Sequence, residues 1–173
     1  QLAPQSRERF KREAEAMQRV RHNNVVALQD YGILTDGRPF IVMELVSGET
    51  LADLLTKQGR LSVEEAISIA SSICLALSAA HAANIIHRDL KPGNIILTQK
   101  DSEFIVKVVD FGLAKSIHAK DGDTLTVSGD TVGTPQYMSP EQCTGAPLDG
   151  RSDLYNLGCI LYEMLSGRKV VDH

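Results

Sequence analysis

The apolar residues of this chain fall into two kinds of pattern, short continuous runs and longer helical stretches. Three short runs are rich in β-branched residues and are bounded by polar or turn-forming residues: 41–46, 95–97 and 105–109. Such runs are typical of buried strands. The first run predicts a buried strand of its own, and the other two predict a pair of strands joined by a polar turn.

Helices are predicted for much of the remaining chain. A threonine followed three residues later by an aspartate predicts a helix start at residues 50–53, and Gly59 predicts the end of that short helix. Residues 152–166 predict a long helix that Gly167 closes. Strands and helices of this kind predict an α+β fold.

The stretch 66–86 contains no Asp, Glu, Lys or Arg over 21 residues, a length that could span a bilayer. Several serines together with His81 and Asn84 interrupt it, and Ser62 with Glu65 forms a capping box at its start. We therefore predict a helix buried in a protein core, and no membrane segment in this chain.

Composition narrows the function classes only slightly. Eighteen basic and twenty-two acidic residues give a net charge of −4, which offers no electrostatic case for binding nucleic acid or an anionic membrane. The three cysteines are widely spaced and form no CxxC pair, so neither a zinc site nor a disulfide framework is indicated. A reducing cytoplasm is the default location.

Two motifs carry the chemistry. Residues 87–94, called the catalytic loop below, read HRDLKPGN, and residues 110–112 read DFG. Either motif alone can arise by chance, because Asp, Asn and Gly are common turn residues. In this order, with two predicted strands between them, they match the signature set of protein kinases. The chain resembles the protein kinase superfamily, and most of all the bacterial eukaryotic-like (Hanks-type) serine/threonine kinases.

The resemblance implies a role for each polar residue of these motifs. Asp89 would accept or orient the proton of the attacking hydroxyl, and Lys91 would place its ammonium on the transferring phosphate. Asn94 and Asp110 would hold Mg²⁺, or Mn²⁺ as the alternative ion, between the phosphates of ATP. A loose phosphoryl-transfer transition state needs this positioning and charge neutralisation more than covalent help.

Residues 133–142, reading GTPQYMSPEQ, resemble the segment that closes the activation loop in the bacterial branch. Thr134 would line the acceptor groove and bridge towards Asp89. Glu141 would normally pair with an arginine that this chain does not contain. Asp153, near the start of the long helix, would bond the backbone of the catalytic loop and hold it in place.

Upstream residues resemble the small lobe. Glu13 would be the glutamate of the regulatory helix, although composition alone favours a solvated surface acid. Met43 would guard the inner pocket, backbone groups of Glu44 and Val46 would bond the adenine ring, and Ile96 would lie beneath that ring. We call residues 43–46 the hinge segment. An apolar residue at such a position is more often ordinary core, so these roles rest wholly on the resemblance.

The family's glycine-rich loop, and the lysine that pairs with Glu13, have no counterpart in this sequence. After Gly167 the family pattern also stops. The chain is therefore interpreted as an internal piece of a kinase, and the isolated piece is expected to be inactive, because loss of one preorganised electrostatic contact already costs about 10²–10³ in rate.

Regulation is expected in the loop-like stretch 116–134, which is rich in Asp, Gly, Ser and Thr. Arg88 would pair with a phosphate there and so order the loop. The alternative is that a loop simply contains hydroxyl residues. The candidate phosphosites are Thr124, Thr126, Ser128 and Thr131.

Two rival functions remain. A pseudokinase, or a truncated regulatory or scaffold partner, would keep the fold without transfer, although such proteins commonly lose one of the residues at Asp89, Asn94 or Asp110. An aminoglycoside-type phosphotransferase shares an HxDxxxxN loop, but would not be expected to carry Lys91 or the segment 134–141.

The resemblance implies a partial bilobal kinase fold of the α+β class. Residues 1–46 would be a remnant of the small lobe with the hinge, and residues 47–173 the first part of the mainly helical large lobe. The expected partners are protein substrates with Ser or Thr, together with a homodimer or an activating kinase. The expected location is the cytoplasm, with the cytoplasmic domain of a membrane-anchored protein as the alternative.

Overall fold

The computed structural model of the chain describes residues 3–100, 103–112 and 135–171. The first helix, α1 (Pro4–Arg19), begins at a proline that occupies its first turn. It buries Phe10, Ala14 and Met17 against the strand that follows. That strand, β1 (Leu28–Ile33), pairs antiparallel with β2 (Pro39–Met43) in a two-stranded sheet.

The predicted strand at 41–46 is therefore shifted, and the prediction that it is buried was wrong. Within the described residues β2 pairs only with β1, and a two-stranded ribbon covers little of its own surface. Val42 is 41% exposed, Met43 39% and Leu45 95%. The hinge segment begins at the last residue of β2 and continues outside regular structure.

A second sheet has the order β3-β4-β5 and is antiparallel throughout. Its strands are β3 (Glu49–Thr50), β4 (Ile95–Lys100) and β5 (Glu103–Val108). Strands β4 and β5 lie where the two apolar runs predicted a strand pair. A short 3-10 helix, Pro92–Asn94, leads from the catalytic loop into β4, so the loop is attached directly to the sheet.

Helices α2 (Leu51–Gln58) and α3 (Val63–Ala82) begin with the capping boxes expected from the sequence. In each, the side chain of the residue before the helix, Thr50 or Ser62, accepts from a backbone N–H of the first turn. Helix α3 packs against β5 and against the long helix Gly150–Ser166, which is α5 below. Its buried stripe consists of Ala66, Ile69, Ile73, Ala76, Leu77 and Ala80.

The helix predicted at 66–86 lies in the core along one face and leaves part of its apolar surface exposed. Val63, Ile67 and Leu75 are each more than half exposed. In the part of the chain that the structure describes, α3 alone is long and apolar enough to cross a membrane, a test that the core helix of a soluble protein also passes. Its stripe of small and apolar residues packed on a sheet supports the interpretation as a core helix.

The last elements are a 3-10 turn at Pro135–Tyr137, the short helix α4 (Pro140–Thr144) and the long helix α5 (Gly150–Ser166). Gly167 ends α5 in the left-handed conformation, as the sequence predicted. Helix α5 buries Leu157, Ile160 and Met164 in the same core as α3. Leu90 of the catalytic loop and Ile95, the residue directly after the loop, are both part of that core, so the loop is packed against it.

Candidate active site

The catalytic loop brings two polar side chains, Lys91 and Asn94, onto the carboxylate of Asp89. Lys91 Nζ donates to Asp89 Oδ2 at 2.8 Å, and Asn94 Nδ2 lies 3.3 Å from the same oxygen. Asn94 Nδ2 also donates to the backbone oxygen of Asp89 at 2.9 Å. An ammonium and an amide on one carboxylate fix its orientation.

The side chain of Asn94 is oriented for a ligand. Its Nδ2 is used on Asp89, and no donor from the described residues reaches its Oδ1. Val109 N donates to Asn94 O at 3.0 Å, so Asp110 follows directly on a residue in contact with Asn94. Two oxygen ligands on adjacent segments suit Mg²⁺, which binds one or two protein groups together with substrate phosphates.

The described residues contain no group of three or more His, Cys, Asp or Glu side chains that could hold a metal ion by itself. An ion held by Asn94 and Asp110 would therefore share its remaining positions with phosphate and water. Asp110 is exposed and adopts a left-handed backbone conformation with φ 58°. Its carboxylate is thus presented at the surface of the site.

The DFG motif is tied to the catalytic loop by close packing. The imidazole of His87 is fully buried, lies 4.7 Å from the ring of Phe111 between centroids, and has its Nε2 3.0 Å from Val109 O. Burial lowers the pKa of His87, so the ring is neutral at pH 7. At Gly112, with φ +48°, a Cβ atom would lie 2.6 Å from His87 O, so only glycine fits there.

Asp153 on α5 holds the backbone of the catalytic loop. The carboxylate is fully buried and accepts from His87 N at 2.9 Å and from Arg88 N at 3.1 Å. His81 Nε2 lies 2.7 Å from the same carboxylate. The contact that the sequence predicted for Asp153 is present, whereas the part played by His81 was missed.

Glu13 reaches the catalytic loop. Its Oε1 lies 3.5 Å from Arg88 Nη1, and its side chain is 23% exposed. Arg88, which was expected to serve a phosphate on the activation loop, therefore also contacts α1. Helix α1 and the catalytic loop are joined at this point.

At the hinge segment the predicted residues lie as follows. Met43 ends β2 and is partly exposed, Val46 is half-buried, and Ile96 is half-buried on β4. Glu44 N donates to Ala27 O at 2.9 Å. Of the two backbone groups of Glu44, the N–H and the carbonyl, only the carbonyl therefore remains for an adenine ring. Thr134 and the four candidate phosphosites lie outside the described residues.

The side chain of Glu44 belongs to a network that sequence reasoning missed. Its carboxylate accepts from Ala27 N and from Lys107 Nζ, and the bond from Lys107 lowers the pKa of Glu44. Asn24 Nδ2 donates to Val106 O at 2.8 Å. These bonds join the segment before β1, the hinge segment and β5. The single lysine within the apolar run 105–109 gave no signal for this network.

Two buried amides near the catalytic loop were also missed. Gln142 on α4 donates from Nε2 to Arg88 O at 2.8 Å, and Asn156 on α5 donates to Gln142 Oε1 at 3.0 Å. Both side chains are almost fully buried. A glutamine in the first turn of a short helix reads as a capping residue, so only its burial could have suggested a further role.

Comparisons with known proteins agree with this geometry. The family model described as protein kinase domain matches residues 2–173. The serine/threonine-protein kinase pkn3 of Myxococcus xanthus is 47% identical over 161 residues, which cover 92% of this chain and 29% of that protein. The probable serine/threonine-protein kinase PknB of Corynebacterium glutamicum is 44% identical over 168 residues, which cover 95% of this chain and 25% of that protein.

Solved structures give the same result. The crystal structure of the Mycobacterium tuberculosis PknI kinase domain, a double mutant, aligns with a TM-score of 0.76 and 29% identity, covering 98% of this chain and 60% of that chain. Rad53 1–466 in complex with AMP-PNP aligns with a TM-score of 0.74 and 30% identity, covering 96% and 40% respectively. The expected α+β kinase-like fold is confirmed, and the present chain spans about a quarter of the length of the curated relatives. This chain belongs to the protein kinase domain family.

Proposed function

We propose that the protein carrying this chain is an ATP-dependent serine/threonine protein kinase. The observation that carries the proposal is the convergence of Lys91 and Asn94 on the carboxylate of Asp89. The relatives pkn3 and PknB, both named serine/threonine-protein kinases, support it. We assign residues 1–46 to the small lobe and hinge and residues 47–173 to the large lobe.

The residues divide the work of phosphoryl transfer. Asp89 orients the acceptor hydroxyl and takes up its proton, while the Lys91 ammonium lies beside it to neutralise charge that develops on the transferred group. Asn94 Oδ1 and Asp110 hold Mg²⁺, or Mn²⁺ as the alternative, which supplies positive charge to the ATP phosphates when bound. The Glu44 carbonyl, Val46 and Ile96 receive the adenine ring.

We also propose that protein substrates dock beside Thr134, and that phosphorylation between residues 124 and 131 regulates the enzyme through Arg88. The cytoplasm is the proposed site of action. These assignments rest on the resemblance of the motifs to the kinase family and apply to the whole protein. The proposed partner of the whole protein is a second copy of itself, in a homodimer, or an activating kinase.

The test compares the full-length protein with its Asp89→Asn variant. We expect phosphate from labelled ATP to appear on serine and threonine of an acceptor protein, and the variant to lower kcat at least about 10²-fold because it removes the general base. Asp36→Asn, at an exposed surface turn, is the control and should keep full activity. Nucleotide binding without transfer by the wild-type protein would instead indicate a pseudokinase.

A further inference from the structure

Arg88 has an unusual backbone conformation at a decisive position. Its φ is 64°, in the left-handed region that residues other than glycine rarely occupy. The residue immediately precedes Asp89, so the peptide unit between them determines where the Asp89 side chain points. A conformation of this kind persists only where surrounding contacts enforce it.

Two separate helices bond the backbone of Arg88, one at its N–H and the other at its carbonyl. Asp153 on α5 accepts from Arg88 N at 3.1 Å. Gln142 on α4 donates from Nε2 to Arg88 O at 2.8 Å. The second bond fixes the carbonyl of the peptide unit that ends at Asp89 N, and a rotation of that unit would turn the catalytic carboxylate.

Both polar atoms of the Gln142 side-chain amide are hydrogen-bonded. Its Oε1 accepts from Ser139 N at 2.8 Å and from Asn156 Nδ2 at 3.0 Å. The reversed amide would set a donor against these two donors, so the network selects the orientation in which Nε2 faces Arg88 O. Gln142 is 6% exposed and Asn156 2% exposed. A buried amide with both its oxygen and its nitrogen hydrogen-bonded favours one arrangement.

We propose that Gln142 is a positioning residue that makes the geometry of Asp89 depend on the docking of α4. This inference deepens the proposed kinase function and rests on it. Helix α4 begins within residues 133–142, the segment that resembles the end of the activation loop, so displacement of that segment would withdraw Nε2 from Arg88 O. The strained peptide would then relax, and Asp89 would lose its orientation.

The test uses Gln142→Glu and Gln142→Met in the full-length protein. Gln142→Glu keeps an acceptor for Ser139 N and Asn156 Nδ2, so it preserves the cap of α4 and loses only the donor to Arg88 O. Gln142→Met keeps the size of the side chain and removes all of its hydrogen bonds. Cys143→Ser is the matched control, because Cys143 is an exposed neighbour on the same helix.

We expect both Gln142 variants to lower kcat about 10-fold, as loss of a buried hydrogen bond to a catalytic element does, with KM for ATP within about twofold of wild type. Hydrogen exchange of the amides of residues 87–89 should accelerate about 10-fold in Gln142→Glu. Cys143→Ser should match wild type in both measurements. Unchanged kcat and unchanged exchange in Gln142→Glu would overturn the inference.

A loss of activity in Gln142→Glu alone would also overturn it, since the introduced charge and not the missing donor would then be responsible. If the wild-type protein transferred no phosphate, the proposed kinase function would fail. In that case the exchange measurement alone decides the inference: faster exchange supports it, and unchanged exchange refutes it.

Discussion

The catalytic loop and the hinge segment are supported very differently. In the catalytic loop, Leu90 is 1% exposed and the backbone is bonded by helices α4 and α5. In the hinge segment, Leu45 is 95% exposed and Met43 39% exposed. The loop that would carry the chemistry is therefore fixed by contacts from several elements. The segment that would receive the nucleotide is attached through Glu44, whose backbone N donates to Ala27 O and whose carboxylate accepts from Ala27 N and Lys107 Nζ.

The difference teaches which substitutions should matter. Substituting a residue whose partners come from several elements weakens the contacts of all of them and lowers the free energy of unfolding. Substituting an exposed residue changes that free energy little. The four predictions below test this contrast, and they run from the largest expected effect to the smallest.

Asp153→Ala should have the largest effect. It removes a fully buried carboxylate that accepts from two catalytic-loop amides and contacts His81, so the free energy of unfolding should fall by about 3 kcal/mol or more. Chemical denaturation monitored by circular dichroism measures this. Asp149→Asn, at the exposed cap of the same helix, should change it by less than about 0.5 kcal/mol, because asparagine caps equally well. Equal effects of the two substitutions would contradict the contrast.

Leu90→Ala and Leu45→Ala compare the two regions directly with one chemical change. Leu90 lies in the core, so its truncation should cost about 2–5 kcal/mol in the free energy of unfolding. Leu45 is almost fully exposed, and its truncation should cost less than about 0.5 kcal/mol. Thermal melts of the two variants would show the gap. A large cost at Leu45 would mean that the hinge segment is packed.

Gly112→Ala in the DFG motif and Gly93→Ala in the catalytic loop form a matched pair. A Cβ at Gly112 would lie 2.6 Å from His87 O at a positive φ, so we expect a loss of about 1–3 kcal/mol and weaker binding of Mg²⁺ and nucleotide. At Gly93 no atom lies within 4 Å of the added Cβ, and stability should be unchanged or slightly higher. Calorimetry of unfolding and of nucleotide binding measures both. Tolerance of alanine at residue 112 would show that the close contact with His87 is dispensable.

Glu44→Gln should have the smallest effect and a characteristic pH dependence. The variant loses the ion pair with Lys107 but keeps an acceptor for Ala27 N, so it should cost about 1 kcal/mol at pH 7. The bond from Lys107 holds the pKa of Glu44 below its usual 4.5, so the carboxylate contributes its stabilisation above that pH. The contribution disappears as the pH falls through the lower pKa of the folded state.

The difference in denaturation midpoint between wild type and Glu44→Gln should therefore narrow as the pH is lowered from 7 to below 4.5. Lys107→Met should reproduce the difference at pH 7, and adding Glu44→Gln to Lys107→Met should then change the midpoint by an amount that does not depend on pH. A difference that stays constant with pH would show that the ion pair does not tie the hinge segment to β5.

Local signals in the sequence predicted the elements well where caps and periodicity act within a few residues. The capping box at Ser62, the end of α5 at Gly167 and the two strands around residue 101 follow from such short-range rules. The strand predicted at 41–46 was shifted, and it was wrongly expected to be buried. Burial of a strand depends on the strands beside it and not on its own composition.

The amino-acid sequence by itself determined the grouping of Asp89, Lys91 and Asn94, because a tight turn at Pro92 brings residues five apart into contact. Only the tertiary structure decided that Gln142 bonds Arg88 across 54 positions and that Lys107 bonds Glu44 across 63. The physical reason is that local hydrogen bonds follow from spacing along the chain, whereas the partner of a distant buried polar group is selected by how the helices and sheets pack.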